Sequence, residues 1–289
     1  MPWVPRGLAE GIVTTRYPRR PDGYGDGFHG TIVASPAQPV DAAGSLPAEV
    51  GEAARACPTG AITLEPGRPR LDRGRCILCG RCTQLAPATF RFDPSFETAT
   101  VLRRGLVVPP LDEDDAVLDA ARAELRHRVR ALRRSVHVRH VDAGSDGSEE
   151  WEVAALTNPV YDVHRLGVFF TASPKHADLL LVTGAGSAAM LPSLRHTYDV
   201  MPHPKAVIAA GVDAVSGGLV GSTYATRGGV GEVVPVDVVV PGSPPSPFGL
   251  LYAILLGIGL LGAPTKRREE GGAAHRPASA EDPPPEAGR

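Results

Sequence analysis

The strongest constraint on this chain is the spacing of its cysteines. The 289 residues include only four, and three of them stand at two-residue intervals in the run from Cys76 to Cys82. The fourth, Cys57, precedes this run and is followed directly by Pro58. Thiolates are soft ligands that favour iron–sulfur clusters and zinc. The spacing therefore predicts one inorganic centre bound by Cys57, Cys76, Cys79 and Cys82.

The order of these cysteines indicates which centre it is. In bacterial ferredoxins the run is C-x-x-C-x-x-C-x-x-x-C-P, and the cysteine before proline ligates the other cluster of the pair. Cys57 corresponds to the end of one run and the other three to the start of a second, so together they complete one 4Fe–4S site. The positions for a second site lack cysteine and hold Pro47, Val50, Ala53 and Ala86. The alternatives are a structural zinc site, which usually pairs two short C-x-x-C units, and two disulfides.

Charge and apolar composition argue against nucleic-acid binding, secretion and a membrane-spanning helix. The formal net charge of −2 does not indicate nucleic-acid binding. The first residues lack the basic and apolar segments of a secretory signal, and cysteines used for iron suit a reducing cytoplasm. The longest apolar run, 248–263, is shorter than the ~20 residues of a membrane span and contains four glycines. It is interpreted as a buried or partner-facing helix.

Sequence patterns divide the chain into five parts. Before the cysteine run we expect a helix over 47–56, a strand over 61–65 and a turn at Pro66–Gly67. A helix over 112–134 has acidic residues in its first turn and basic residues in its last, as the helix dipole favours. The expected parts are an N-terminal extension (1–35), a cluster domain (36–100), a linker with a helix (101–135), an α/β domain (136–263) and a disordered tail (264–289).

The second half of the chain alternates apolar strands with helices, which predicts a parallel α/β sheet with both faces covered. The expected strands are 136–141, 167–171, 178–183 and 206–210. A helix is expected over 188–198. The motif Gly184-Ala-Gly-Ser-Ala-Ala189 also follows a strand and fits the outline G-x-G-x-x-A of a dinucleotide-binding loop. Nucleotide binding by a hydride-handling enzyme is therefore one alternative.

Several longer motifs in this half resemble the small electron-transfer subunit of energy-converting NiFe hydrogenases, a family that includes the 20 kDa (B) subunit of complex I. The segments that carry the resemblance are 157–167, 173–184, 198–205, 216–218, 234–238 and 241–247. The N-terminal half resembles the polyferredoxin subunit of formate hydrogenlyase. The resemblance implies an α/β fold class: a small ferredoxin-like 4Fe–4S domain followed by a flavodoxin-like parallel-sheet domain of the complex I 20 kDa subunit type.

The α/β domain of this chain lacks the cluster cysteines of the family that it resembles. The family carries its own 4Fe–4S cluster in the α/β domain, on cysteines in a G-S-C-x-x-C loop, a G-x-C segment and a P-G-C-P-P segment. Here those cysteine positions hold Asp146, Glu149, Asp213 and Ser243. Oxygen ligands suit Mg²⁺ or Ca²⁺ better than an iron–sulfur cluster. The alternatives are a degenerate, solvated site, a cation site or a proton-holding site, and converging carboxylates should raise at least one pKa.

The expected function is that of an iron–sulfur electron-transfer subunit with one 4Fe–4S cluster and no turnover of its own. The resemblance implies a partner of the hydrogenase large-subunit or 49 kDa type. It also implies peripheral attachment to the cytoplasmic face of a membrane through partner subunits. The alternative is a scaffold or assembly subunit of such a complex, in which the cluster is structural. By the same resemblance, Glu152 stands where the family keeps a glutamate, and either a proton-transfer or a loop-stabilising role is consistent with that position.

Overall fold

The computed structural model describes residues 3–20, 22–25, 28–35, 46–65, 68–110, 114–132 and 135–261. The Pro66–Gly67 turn and the charged tail expected after residue 264 lie outside these ranges. The described part forms a small cysteine-containing module and a larger parallel α/β domain.

The cysteine module combines short antiparallel strands with two helices. Strand β1 pairs with β4, and β3 lies between β2 and β5 in a second antiparallel sheet. The apolar side chains that join these layers include Ile32, Leu71 and Phe90, each at most 1% exposed. Helix α1 (Trp3–Glu10) precedes the module, whose elements are β1 (Thr31–Ala34), α2 (Ala48–Ala56), β2 (Ile62–Glu65), β3 (Arg68–Asp72), α3 (Arg81–Leu85), β4 (Phe90–Asp93) and β5 (Val107–Val108).

The second half is a parallel sheet covered by helices, as the strand–helix alternation predicts. Its five strands are arranged in the order β10-β9-β8-β6-β7, which is the flavodoxin-like order of doubly wound sheets. The elements are α4 (Asp114–Arg128), β6 (Val136–Asp142), α5 (Ser148–Ala155), β7 (Val168–Phe170), β8 (Leu179–Thr183), α6 (Leu191–Val200), β9 (Ala206–Ala210), α7 (Gly211–Ser216), β10 (Val238–Val240) and α8 (Pro247–Gly257).

The apolar run near residue 250 forms helix α8, and every residue of this helix is buried against the sheet. Ser246 caps its first turn by accepting a hydrogen bond from the Gly249 N–H at 3.2 Å. The buried-helix interpretation is therefore confirmed. Among the described helices, none combines the length and apolar character needed to cross a membrane.

Two element boundaries differ from the sequence expectation. Helix α6 begins at Leu191 rather than at residue 188, because the preceding loop bonds elsewhere: the Ala188 N–H donates to the Ala225 carbonyl. Pro192 then lies in the first turn, where its missing N–H costs no helical hydrogen bond. The helix expected over 112–134 ends at Arg128.

The two halves are joined by backbone hydrogen bonds and by aromatic packing. Thr100 forms an antiparallel bridge with Val239 of β10, with N–H to carbonyl distances of 3.0 and 2.8 Å. Thr15 donates its backbone N–H to the Val160 carbonyl at 2.8 Å. The ring of Phe248 contacts the rings of Phe96, Tyr161 and Tyr17 with centroids 5.0 to 6.0 Å apart, a geometry typical of aromatic clusters.

Two strands that pair within the cysteine module lie outside residues 36–100. Strand β5 lies beyond residue 100 but pairs with β3 of the cysteine module. Strand β1 lies before residue 36 yet pairs with β4. Strands as short as these are poorly predicted from their own residues, because their formation depends on partner strands that are distant in sequence. In the structure the cysteine module therefore includes residues on both sides of the expected 36–100 limits.

Lys205 stabilises the carboxyl end of α6. Its side chain is largely buried, at 7% residue exposure, and its ammonium donates to the Tyr198 and Met201 carbonyls. The Lys205→Met variant keeps the apolar stem but leaves these carbonyls without their charged donor. We expect the free energy of unfolding to fall by about 2 kcal/mol. Urea denaturation followed by circular dichroism measures this, and the exposed Lys175→Met serves as the control, with a change below about 0.5 kcal/mol.

Candidate functional site: a four-thiol cavity and a carboxylate cluster

The structure brings all four cysteines to one cavity. Cys57 follows α2, whereas Cys76 and Cys79 lie in the turn before α3 and Cys82 lies in α3 itself. They line this cavity together with apolar side chains, among which are Ile32, Ile62, Leu71 and Ile77. A small cavity lined by thiols and apolar side chains thus arises from residues distant in sequence.

The cysteine loop turns its backbone amides toward the sulfur atoms. Leu78 and Gly80 both adopt left-handed backbone conformations, with φ of +56° and +73°. For leucine this conformation is strained, and such strain concentrates at functional sites. The Ala61 N–H lies 3.3 Å from the Cys57 sulfur, and the N–H of Leu78 bonds the sulfur of Cys76. Amide hydrogen bonds of this kind tune the potentials of thiolate-bound clusters.

Burial makes the free thiols poor acids. It raises the pKa of Cys76 to about 12, and the charges of the neighbouring thiols add to this effect while the Leu78 N–H opposes it. Burial likewise raises the pKa of Cys82 to about 11, followed by the influence of Cys79 and Cys57. A cationic centre among these sulfurs would instead favour the deprotonated thiolates, because metal binding displaces the thiol protons.

This donor set fits a cluster better than the alternatives. All four cysteines are free thiols, so the pairs that two disulfides would need are not formed. Within the described ranges, no three His, Cys, Asp or Glu residues lie close enough to hold a single metal ion. The thiols instead surround a cavity. Each thiolate of a 4Fe–4S cluster binds a different iron atom, so four thiols around one cavity are the number of donors that such a group requires.

The positions of a second ferredoxin site are filled by the apolar core. Val50, Ala53 and Ala86 are each 0% exposed and pack in the same hydrophobic cluster as Phe90. Close packing of this kind leaves no room for an inorganic group. The cysteine module is therefore arranged around a single thiol-lined cavity.

The carboxylates predicted from the second half of the chain come together in part. Glu149 and Asp146 lie in the loop and helix that follow β6, and Asp213 lies in α7, which follows β9. Ser148 donates to Asp146 at 2.6 Å, and its hydroxyl lies 3.2 Å from the nearer oxygen of Glu149. Ser243 is exposed and makes no hydrogen bond within the described residues. The expected four-residue set is therefore a cluster of three carboxylates.

Glu149 is the buried member of this cluster. The residue is 1% exposed, and its carboxylate packs against Gly211, where a Cβ atom would lie 2.5 Å from one carboxylate oxygen. Burial raises the pKa of Glu149 to about 7, and the nearby charges of Asp213 and Asp146 add to the rise. Burial also raises the pKa of Asp213, whereas hydrogen bonds from Ser148 lower that of Asp146. A raised pKa was expected from repulsion, but burial is the larger cause.

A neighbouring polar network could not be predicted from the sequence. The Glu150 carboxylate accepts hydrogen bonds from the hydroxyls of Ser145, at 2.6 Å, and of Thr183. His140 Nε2 lies 3.0 Å from the same Thr183 hydroxyl, and burial lowers the pKa of His140. This network connects β6, β8 and α5 beneath the carboxylate loop. Thr183 and His140 lie on different strands, and no short motif links them.

The glycine-rich loop after β8 does not have the geometry of a dinucleotide site. A Cβ atom on Gly184 would lie 2.5 Å from the Gly144 carbonyl carbon, and one on Gly186 would lie 2.7 Å from the Gly229 carbonyl oxygen. The glycines thus allow loops of this chain to pack closely, whereas a dinucleotide loop leaves its amides open to a pyrophosphate. Helix α6 also starts only at Leu191, so its amino-terminal amides are displaced from the loop.

Comparisons with known proteins agree with the fold. The family model described as NADH ubiquinone oxidoreductase, 20 Kd subunit, matches residues 147–256. The chain is 35% identical over 175 residues to formate hydrogenlyase subunit 7 of Escherichia coli (strain K12). That match covers 60% of this chain and 66% of the relative, so the chain spans just under two thirds of the relative's length. This chain is thus homologous to that subunit over 175 residues.

A structural comparison gives a weaker match. A chain of the membrane-bound sulfane sulfur reductase, an archaeal respiratory membrane complex, is 30% identical. The match covers 45% of this chain and 70% of the other, with a TM-score of 0.38.

Proposed function

We propose that this chain is an electron-transfer subunit of a complex-I-like or hydrogenase-like oxidoreductase, with one 4Fe–4S cluster on Cys57, Cys76, Cys79 and Cys82. The observation that supports this most directly is the single cavity lined by all four thiols of the chain. Homology to a formate hydrogenlyase subunit supports membership of such a complex. A bound 4Fe–4S cluster would supply reversible one-electron transfer.

The residues around the cavity have three tasks in this proposal. Apolar side chains such as Ile32 and Leu71 exclude water from the sulfurs. The Ala61 amide holds the Cys57 sulfur in place. The Leu78 amide bonds the Cys76 sulfur and favours its thiolate form, against the larger effect of burial. The exposed thiol of Cys79 lies at the surface, where an electron donor can approach closely. The chain has no described group placed for catalysis at this cavity, so turnover is assigned to a partner.

The proposed partner is a subunit of the hydrogenase large-subunit or 49 kDa type, docked near the carboxylate cluster. Trp151 stands two residues after Glu149 and is 79% exposed. Leu219 and Val220 follow Gly218, against which the Asp213 carboxylate packs, and they are 66% and 61% exposed. We infer that these side chains form one apolar patch, which is the kind of surface at which protein partners dock. Attachment to the cytoplasmic face of a membrane would then pass through partner subunits.

One observation favours a second candidate, a scaffold subunit with a structural cluster. Carboxylates occupy the place at which the resembled family holds its inner cluster, and these hard ligands do not suit an iron–sulfur centre. The usual onward route for electrons through the α/β domain is then interrupted. In this case the cluster would stabilise the cysteine module without changing redox state.

Anaerobic purification followed by iron and sulfide analysis tests the proposal. We expect about four irons and four sulfides per chain, and an electron paramagnetic resonance signal that appears with dithionite and disappears on reoxidation. Full iron content without a reducible signal favours the scaffold candidate. Zinc in place of iron, or a chain without metal, contradicts both.

A further inference from the structure

A second cavity lies between the cysteine module and the α/β domain. It has a volume of about 420 Å³, within the range of functional clefts, which occur preferentially at domain interfaces. One wall is formed by the cysteine module, including His29 and Leu78. The opposite wall is formed by Glu152, Tyr161 and the proline-rich segment 241–247.

The cysteine run forms this cavity's wall directly. Leu78, which lies between Cys76 and Cys79, lines it. The ring of His29 also lines it and lies 4.8 Å from the ring of Phe92. Phe92 in turn lies against Gly80, where an added Cβ would be 3.4 Å from the ring. The apolar side chains of Leu78 and Phe92 thus connect the cysteine run to the residues that line this cavity.

Glu152 is an acidic group that lines this cavity. It is half-buried and makes no hydrogen bond or ion pair with any described residue. Among the residues that the structure describes, the other titratable groups lining the cavity are His29 and Tyr161, and no described lysine or arginine lines it. Burial raises the pKa of Glu152, and the charge of Glu152 contributes to a raised pKa of Tyr161. The tyrosine consequently stays neutral, and no described cation stabilises the carboxylate.

We propose that Glu152 is a proton-binding group coupled to the redox state of the four-thiol site. The inference rests on the proposed function. A low-potential one-electron donor supplies one electron to the thiol-bound centre, and Glu152 takes one proton from solvent that enters the cavity. When the electron leaves, the proton returns to solvent, so charge and protons balance. The physical cause is Coulomb repulsion through poorly screened, apolar surroundings, which favours the neutral carboxyl when negative charge is added.

The test is the pH dependence of the midpoint potential, a property that does not require turnover. Redox titrations of the full-length, iron-loaded chain are followed by electron paramagnetic resonance between about pH 5 and pH 9. We expect the potential of the unmodified chain to fall as pH rises above the raised pKa of Glu152 in the oxidised protein. The slope has an upper limit of about 59 mV per pH unit, the value for one proton per electron.

Matched variants distinguish this proposal from its alternatives. Glu152→Gln, with Glu152→Met as a second neutral variant, should give a potential that does not change with pH. Two control variants should keep the pH dependence of the midpoint potential. They are Glu232→Gln, which changes an exposed residue at another cavity, and His29→Gln. A slope that persists in both Glu152 variants, or one abolished by His29→Gln, overturns the inference while leaving the proposed function intact. A chain without a reducible cluster overturns both.

Discussion

Replacing Cys76 with alanine should lower the iron content of the anaerobically purified chain from about four atoms per molecule to near zero. Cys76 is 8% exposed, so neither water nor an exogenous thiol can readily take its place. The apolar side chains of the cavity offer no other ligand. Iron and sulfide analysis, together with the visible absorbance of the cluster, measures the loss.

The carboxylate positions supply the controls for this experiment. Asp213→Ala and Ser243→Ala change residues that correspond to cluster ligands in the resembled family but lie outside the thiol cavity. Both variants should retain the full iron content. Full iron in both Cys76→Ala and Cys82→Ala would contradict the ligand assignment, whereas loss of iron in Ser243→Ala would indicate that the ligands lie elsewhere.

Replacing Glu149 with glutamine should remove a pH-dependent destabilisation of the fold. The pKa of Glu149 is raised from an ordinary 4.5 to about 7 by burial, so the folded chain binds this proton more tightly than the unfolded chain does. The resulting stability is fully present below pH 4.5 and is lost as the pH rises through 7. Conversion at 1.36 kcal/mol per pKa unit gives a loss of about 3 kcal/mol.

Thermal unfolding at pH 5 and pH 8 measures this effect. The unmodified chain should lose several degrees more than Glu149→Gln does between these two pH values. The exposed Glu232→Gln should follow the unmodified chain. If Glu149→Gln showed the same loss as the unmodified chain, Glu149 would have to be charged in the folded state at all pH values tested.

Local patterns were sufficient to predict the parallel sheet and its helices. Strand β9 occupies the residues expected for it, and the apolar run near residue 250 is the buried α8. These elements are continuous apolar segments, and such segments can be recognised as buried from their own residues without knowing what they pack against. The convergence of the four cysteines on one cavity was also predictable, because their spacing indicates a single site without knowledge of the rest of the chain.

Features that depend on distant residues could not be predicted in the same way. The cavity between the two halves is lined by both Leu78 and Glu152. These residues are far apart in sequence, and no local pattern predicts that they line the same cavity. The hydrogen bonds of Glu150 depend on Thr183, which lies on another strand. The convergence of Asp146, Glu149 and Asp213 was predicted through a family resemblance, and the dominance of burial over repulsion became apparent only from the packing around Gly211.

The bridge between Thr100 and Val239 has a consequence for how the sheet meets its surroundings. Strand β10 is the last strand on one side of the parallel sheet, and the segment that leads out of the cysteine module pairs with it. Unpaired outer strands present rows of free amides and carbonyls on which other molecules can add strands and aggregate. The Thr100 bridge thus occupies the amide and carbonyl of Val239 on this outer strand, and a truncation that removed residues 1–100 would leave both groups unpaired.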